Sequence, residues 1–135
     1  MRFGLMVLSA LVMFGAAEAM AGCQVSRVVD GDTLHLTCGG VRHRVRLLGY
    51  DTPEVFHPLC AAEGVAGKGA TARLEGLVAT GPVTGVRFAG RDRYGRDLAS
   101  VEIGGRDIAG YMLASRLARP YGGRRHPDWC GILGE

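Results

Sequence analysis

Apolar and polar residues alternate with a period of two from Cys23 to Leu48, a pattern that predicts three short strands. Val25, Val28 and Val29 lead into Asp30-Gly31-Asp32; Leu34, Leu36 and Cys38 then alternate with Thr33, His35 and Thr37. Asp-Gly marks a tight turn because glycine accepts positive φ, so the stretch reads as a hairpin. Cys23 and Cys38 sit almost symmetrically about that turn, where they can face each other across the ladder. Gly39-Gly40 makes the next turn. In the third strand, Val41 to Leu48, Val41, His43, Val45 and Leu47 share one face. Arg42, Arg44, Arg46 and Leu48 share the other. Pro53 lacks a ladder donor and stops the strand.

Beyond Pro53 the period changes. Val55 to about Ala66 reads as a loop, and Ala70, Leu74, Leu77 and Val78 recur at helical spacing, which predicts a helix near 67–79. Gly67 and Gly69 weaken its start. Val83 to Phe88 and Leu98 to Ile103 read as two more strands, joined by the turn that holds Tyr94-Gly95. Ile108, Ala109, Met112, Leu113 and Leu117 predict a second helix from Asp107 to Ala118, closed by Pro120. Tyr121 to Glu135 shows no clear periodicity. Three strands, a helix, two strands and a helix make a mainly β, α+β chain. The expected fold is a five-stranded Greek-key OB-fold barrel with two flanking helices.

The first residues carry a different pattern. Arg2 precedes an almost unbroken apolar run, Phe3 to Ala17, and small residues end it at Ala19-Met20-Ala21. This is the plan of a secretory signal peptide, residues 1–21, too short for a membrane span of roughly 20 apolar residues. Residues 22–135 then form a single domain, exported to the periplasm or secreted. Met20-Ala21-Gly22-Cys23 also resembles a lipoprotein processing box, which would lipidate Cys23. Glu18 just before the box and methionine three residues before the cysteine argue against that. The four cysteines Cys23, Cys38, Cys60 and Cys130 match no zinc spacing, and an even count in an exported chain predicts two disulfides. The formal net charge is +3, carried by arginine far more than lysine, which fits an anionic partner.

The candidate chemistry lies at the ends of these elements. Asp32 in the hairpin turn and Asp51 after the third strand can meet at one end of a barrel. Two carboxylates, a backbone carbonyl and water suit calcium. Glu54, three residues on, is a spare carboxylate able to take a proton from water. Arg46 ends near the same corner, and Arg96 ends a turn that can return to it. Two guanidinium groups can clamp a phosphate and stabilise growing charge. Tyr94, beside Arg93, can stack on a base. Arg42 and Arg44 read as a solvated stripe or as non-specific phosphate attraction. His35, His43, His57 and His126 are scattered without ligand spacing and carry no assigned chemistry.

The motifs Val29-Asp-Gly-Asp-Thr33, Arg46-Leu-Leu-Gly-Tyr-Asp-Thr-Pro-Glu54 and Asp92-Arg-Tyr-Gly-Arg96 resemble those of the staphylococcal nuclease (thermonuclease) family, over roughly Val25 to Tyr121. The resemblance implies the OB barrel and calcium-dependent hydrolysis of DNA and RNA, leaving 3′-phosphates. It implies that Asp32, Asp51 and the Thr52 carbonyl hold Ca2+ and that Glu54 is the general base. Arg46 and Arg96 then contact the phosphate, with Tyr94 and Arg93 at the nucleotide. The family prototype lacks cysteines and carries a long C-terminal helix. Here a Cys60–Cys130 bridge would instead pin the tail across the body.

The leading expectation is an exported, metal-dependent endonuclease of the thermonuclease type, with little sequence specificity. Its substrate would be single-stranded or frayed DNA and RNA, and it would act as a monomer without an obligate protein partner. The alternative is a non-catalytic nucleic-acid-binding OB-fold module. Some family members have lost their acids, and this chain retains Asp32, Asp51 and Glu54. A structural or carbohydrate-binding barrel ranks last, because it has no use for an acid cluster facing two arginines.

Overall fold

The computed structural model describes residues 22–135, so the expected signal segment lies outside the described residues. The elements run β1 (Cys23–Asp30), β2 (Thr33–Cys38), β3 (Val41–Leu47), β4 (Gly49–Asp51), α1 (Ala61–Val78), β5 (Val83–Arg91), β6 (Asp97–Ile103), β7 (Arg106–Asp107), α2 (Ile108–Leu113), β8 (Arg119–Tyr121) and α3 (Trp129–Leu133). The main sheet has the order β1-β2-β3-β6-β5, with β7 added to β6. All its pairings are antiparallel except β3 with β6. β1 and β5 approach each other without a ladder between them, which gives an OB-like, incompletely closed sheet. The fold is α+β, as the sequence pattern predicts.

The core follows the alternation. Leu34, Leu36, Val45, Leu47, Ala99, Val101 and Ile103 point inward from β2, β3 and β6 and are sealed from solvent. Ala70, Leu74 and Leu77 of α1 and Ile108 and Met112 of α2 cover them. Arg73 ties the two helices together: it donates to the Tyr111 carbonyl at 2.9 Å and stacks on the Tyr111 ring.

The helices differ from the sequence expectation in three places, and the short strands β4, β7 and β8 are additional to the five expected. Helix α1 starts at Ala61, not near Gly67, and so takes over half the expected loop. Its first turn is held from outside: Glu63 accepts from the Leu59 N–H at 2.8 Å, and the Glu135 carboxylate accepts from the Ala62 N–H at 2.8 Å. Helix α2 stops at Leu113, because the Ser115 hydroxyl donates to the Met112 carbonyl and accepts from the Leu117 N–H. The chain then forms β8 against β4. The aperiodic tail supplies a third helix, α3, whose N-cap Asp128 accepts from the Gly131 N–H.

Both expected disulfides are present, Cys23–Cys38 across the first hairpin and Cys60–Cys130 between the start of α1 and α3.

Candidate active site

The site is built where β2, β3 and β4 end. The turn Asp30-Gly31-Asp32 must come close to the Asp51–Glu54 corner, and glycine is the residue that permits it. A Cβ on Gly31 would lie 2.7 Å from the Thr52 hydroxyl and 2.8 Å from the Ala70 methyl. Gly67 serves the corner from the other side. It lies mid-helix, and a Cβ there would meet the Pro53 and Glu54 carbonyl oxygens at 2.8 Å. The glycine that weakens α1 by propensity therefore lets the helix pack directly on the corner's backbone. Tyr50, fully buried, closes the third side by donating its hydroxyl to the Gly31 carbonyl at 2.7 Å. Burial, with Asp32 adding repulsion, pushes that phenol well above its usual range, so it stays a donor.

Arg46 sits at the centre. Although β3 alternates it away from the core, it is only 5% exposed. One terminal nitrogen donates to the Leu47 and Tyr50 carbonyls at 2.7 and 3.0 Å. The other lies 3.1 Å from Asp51 Oδ1 and 3.4 Å from Asp32 Oδ2. One guanidinium thus draws both buried aspartates to a single point. Thr52 donates to Asp32 Oδ2 through its N–H and its hydroxyl, both at 3.2 Å. The Thr33 hydroxyl donates to Asp32 Oδ1.

Negative charge is left over. Loss of hydration raises the Asp51 carboxyl; Asp32 adds repulsion, opposed by the Trp129 hydrogen bond, Arg46 and His126. Glu54 is raised by desolvation and then by the charges of Asp32, Asp51 and Glu63. Asp30 is pushed up to about 7, by burial first and then by Asp32. Glu54 itself is exposed beside this cluster.

Arg96 reaches the site from the β5–β6 turn. Its Nε donates to Asp92 Oδ2 at 2.7 Å, and one terminal nitrogen donates to the Thr33 hydroxyl at 3.3 Å. Burial alone would raise Asp92, but hydrogen bonds from Arg96 and its charge outweigh that and hold the carboxylate low. Tyr94 stands on the same turn, 62% exposed, with Arg93 and Arg96 against its ring. A cleft of about 700 Å³ joins the two halves, lined by Arg46, Arg93, Tyr94, Arg96, Tyr121 and Arg124 among others.

The tail completes the site in a way the sequence pattern does not announce. Trp129 is buried, and its indole N–H donates to Asp51 Oδ2 at 2.9 Å. His126 Nδ1 lies 3.0 Å from Asp51 Oδ1, and its ring stacks on Tyr121. These partners are 78 and 75 residues from Asp51 in the chain. The one hint in the sequence is Cys130, whose bridge to Cys60 brings its neighbours to the corner.

The donors present are hard oxygens, which suit calcium: two buried carboxylates meeting at one point, the Thr52 carbonyl next in the chain, and uncompensated negative charge around them. Among the described residues no three His, Cys, Asp or Glu side chains converge on one ion site. Water and a substrate oxygen would have to complete any shell.

Comparison with known proteins points to a family. A family model described as "Staphylococcal nuclease homologue" matches residues 44–128. The chain is 34% identical to "Succinoglycan biosynthesis protein ExoI" of Rhizobium meliloti, over 81% of this chain and 58% of that protein. It is 35% identical to "Endonuclease YncB" of Bacillus subtilis, over 76% of this chain and 49% of that protein. It is 34% identical to "Thermonuclease" of Staphylococcus intermedius, over 70% of this chain and 56% of that protein. The chain thus spans about half the length of these relatives.

Proposed function

Because this chain belongs to the staphylococcal nuclease family, we propose that it is a calcium-dependent endonuclease, exported from the cytoplasm, that hydrolyses phosphodiester bonds of DNA and RNA with little sequence specificity. The observation that carries the reading is the meeting of Asp32 and Asp51 on the Arg46 guanidinium, beside an exposed Glu54 that enters no ion pair among the described residues. A binding module of the same fold gains nothing from buried carboxylates in mutual repulsion.

Asp32, Asp51 and the Thr52 carbonyl would hold Ca2+, which when bound neutralises phosphate charge and polarises the phosphorus centre. Glu54, raised from its ordinary value by burial and neighbouring acids, accepts one proton of the attacking water; that water's oxygen bonds phosphorus as the ester P–O bond breaks, and the leaving alkoxide takes a proton from solvent. Arg96 and Arg46 line the cleft and stabilise charge that grows on the phosphate oxygens. Their fixed hydrogen bonds keep both from reorganising during the step. Tyr94, with Arg93 against its ring, offers a stacking surface to an unpaired base, which favours single-stranded or frayed substrate. The Cys23–Cys38 bridge supports export without lipidation, since it leaves Cys23 no free thiol for a lipid.

The test is residues 22–135 on single-stranded DNA, with calcium or with excess chelator. Cleavage with calcium and none with chelator is expected. Undiminished cleavage after exhaustive chelation overturns the metal assignment, and no cleavage in either condition overturns the enzyme.

A further inference from the structure

Resting on that reading, we infer that the outer face of β1–β2–β3 is a second nucleic-acid contact, a phosphate track that takes the substrate backbone beyond the scissile bond. Arg42, Arg44 and Arg46 occupy alternate positions of β3 and leave the sheet on one face. Alternate strand residues are spaced by roughly 6.6–6.8 Å, so the row runs about 13 Å outward from the catalytic corner. Arg46, at the inner end, is turned into the site. Arg42 and Arg44 are exposed.

The cross-strand register broadens this row into a patch. His35 of β2 pairs with Arg44 on one side and Arg27 of β1 on the other. The Arg42 terminal nitrogen lies 2.9 Å from His35 Nδ1, so that ring atom accepts and the ring proton sits on Nε2. The patch therefore presents three guanidinium groups and one imidazole donor.

No acid balances it. Arg27, Arg42 and Arg44 enter no ion pair among the described residues, whereas Arg91, at the far edge of the sheet, is paired with Asp97. The neighbours acting on His35 tell the same story. Its pKa is lowered by burial and then by Arg42, Arg27 and Arg44. Three close, uncompensated cations repel one another, and a row of phosphates is a ligand that relieves the repulsion along its length. The row's alignment with Arg46 favours nucleic acid over a membrane surface, which would need no register with the active site.

The test separates this contact from catalysis. Binding of a fluorescent oligothymidylate of about 20 nucleotides is followed by anisotropy, in chelator so that nothing is cleaved. The Arg27→Ala/Arg42→Ala/Arg44→Ala variant should bind about tenfold more weakly at low salt. Its log–log salt slope should fall by about 2, from roughly 0.7 per phosphate lost. Its kcat/KM on a dinucleotide with calcium should stay within about twofold of wild type, since so short a ligand leaves the outer track unfilled. The triple lysine variant should retain oligonucleotide binding. In the wild type, the oligonucleotide but not the dinucleotide should protect Arg27, Arg42 and Arg44 from phenylglyoxal, mapped by peptide mass.

Unchanged oligonucleotide affinity, or absent protection, overturns the inference. So does loss of binding to phosphatidylglycerol vesicles with oligonucleotide binding intact, which would assign the face to a membrane. Because affinity is read without turnover, a protein that cuts nothing would refute the nuclease reading and leave this measurement decisive.

Discussion

Arg46 and Arg96 border the same cleft and are held in opposite ways. Arg46 is almost sealed from water, and two backbone carbonyls and two carboxylates fix it. Arg96 stands on a turn, fixed by Asp92 four residues away and by the Thr33 hydroxyl. The first arginine is part of the folded interior; the second depends on a local loop. A buried charge network ties stability to chemistry, and a turn lets chemistry vary without the fold.

Substitution should separate the two. With chelator present, Arg46→Ala should cost about 3–5 kcal/mol in urea unfolding, because it strands two buried carboxylates. Arg96→Ala should cost less, about 1 kcal/mol, because its partly buried pair with Asp92 is closed within one turn and strands no sealed carboxylate. Both should slow turnover at saturating DNA by about 10²–10³-fold, as loss of a charge-stabilising donor does. Glu54→Gln should slow it by about 10²–10⁴-fold, also without a large stability loss. If Arg46→Ala and Arg96→Ala proved equally stable, the contrast between interior and turn would collapse.

The disulfides sharpen the contrast on the Arg46 side. Cys60 and Cys130 close 70 residues and Cys23 and Cys38 close 15. Paired serine substitutions should cost about 4 and about 3 kcal/mol respectively, on a chain-entropy estimate. Calcium titration by calorimetry adds a second readout. Loss of the Cys60–Cys130 bridge should weaken calcium binding, since it frees the tail that holds Asp51. Loss of Cys23–Cys38 should not.

Trp129→Phe is a finer probe, keeping a ring and removing the N–H that Asp51 Oδ2 accepts. It should cost about 1–3 kcal/mol and lower calcium affinity about tenfold or more, as loss of a ligand's supporting hydrogen bond does. Calcium affinity equal to wild type would make Trp129 a packing residue alone.

The smallest effect lies outside the cleft. The hydrogen bond from His43, then the hydrogen bond and charge of Arg91, hold the Asp97 carboxyl below its usual value against the opposing pull of burial. A depressed carboxylate stabilises the fold above its unfolded pKa of about 3.9 and stops doing so as pH falls through its folded value. The wild-type unfolding free energy should therefore drop more steeply below about pH 4 than that of Asp97→Asn, by a margin under about 1 kcal/mol. Parallel acid limbs would remove Asp97 from the account.

The legible parts of this molecule were those encoded within a few residues. The Asp30–Asp32 turn, the alternation of β2 and β3 and the proline-stopped corner are local, and the structure follows them. The mirrored placement of Cys23 and Cys38 was also local. Apart from the Cys60–Cys130 bridge and the meeting of Asp32 with Asp51, to which the motifs pointed, non-local contacts were not legible. Periodicity puts Arg42, Arg44 and Arg46 on one face but cannot tell that only Arg46 meets carboxylates; β4 and the hairpin turn decide that. Gly67 lowers helix propensity, yet α1 runs through it because the corner's backbone fills the space a side chain would need. The tail has no period, since single contacts to Asp51 place it rather than a repeating buried face.

The two bridges also divide the chain into segments that differ in tolerance to cutting. A single backbone cut within either bridged loop, 24–37 or 61–129, leaves both pieces joined through sulfur. Between the loops, a single cut splits the domain into two unlinked chains. Most of that interval is strand or buried corner; its open stretches are the Gly39-Gly40 turn and residues 54–59. The second stretch begins at Glu54 and carries Phe56 and Leu59, both solvent-facing. A protease with a taste for large apolar residues would therefore find its entry beside the candidate base, where one nick parts the Asp32–Asp51 half from the helix that supports it.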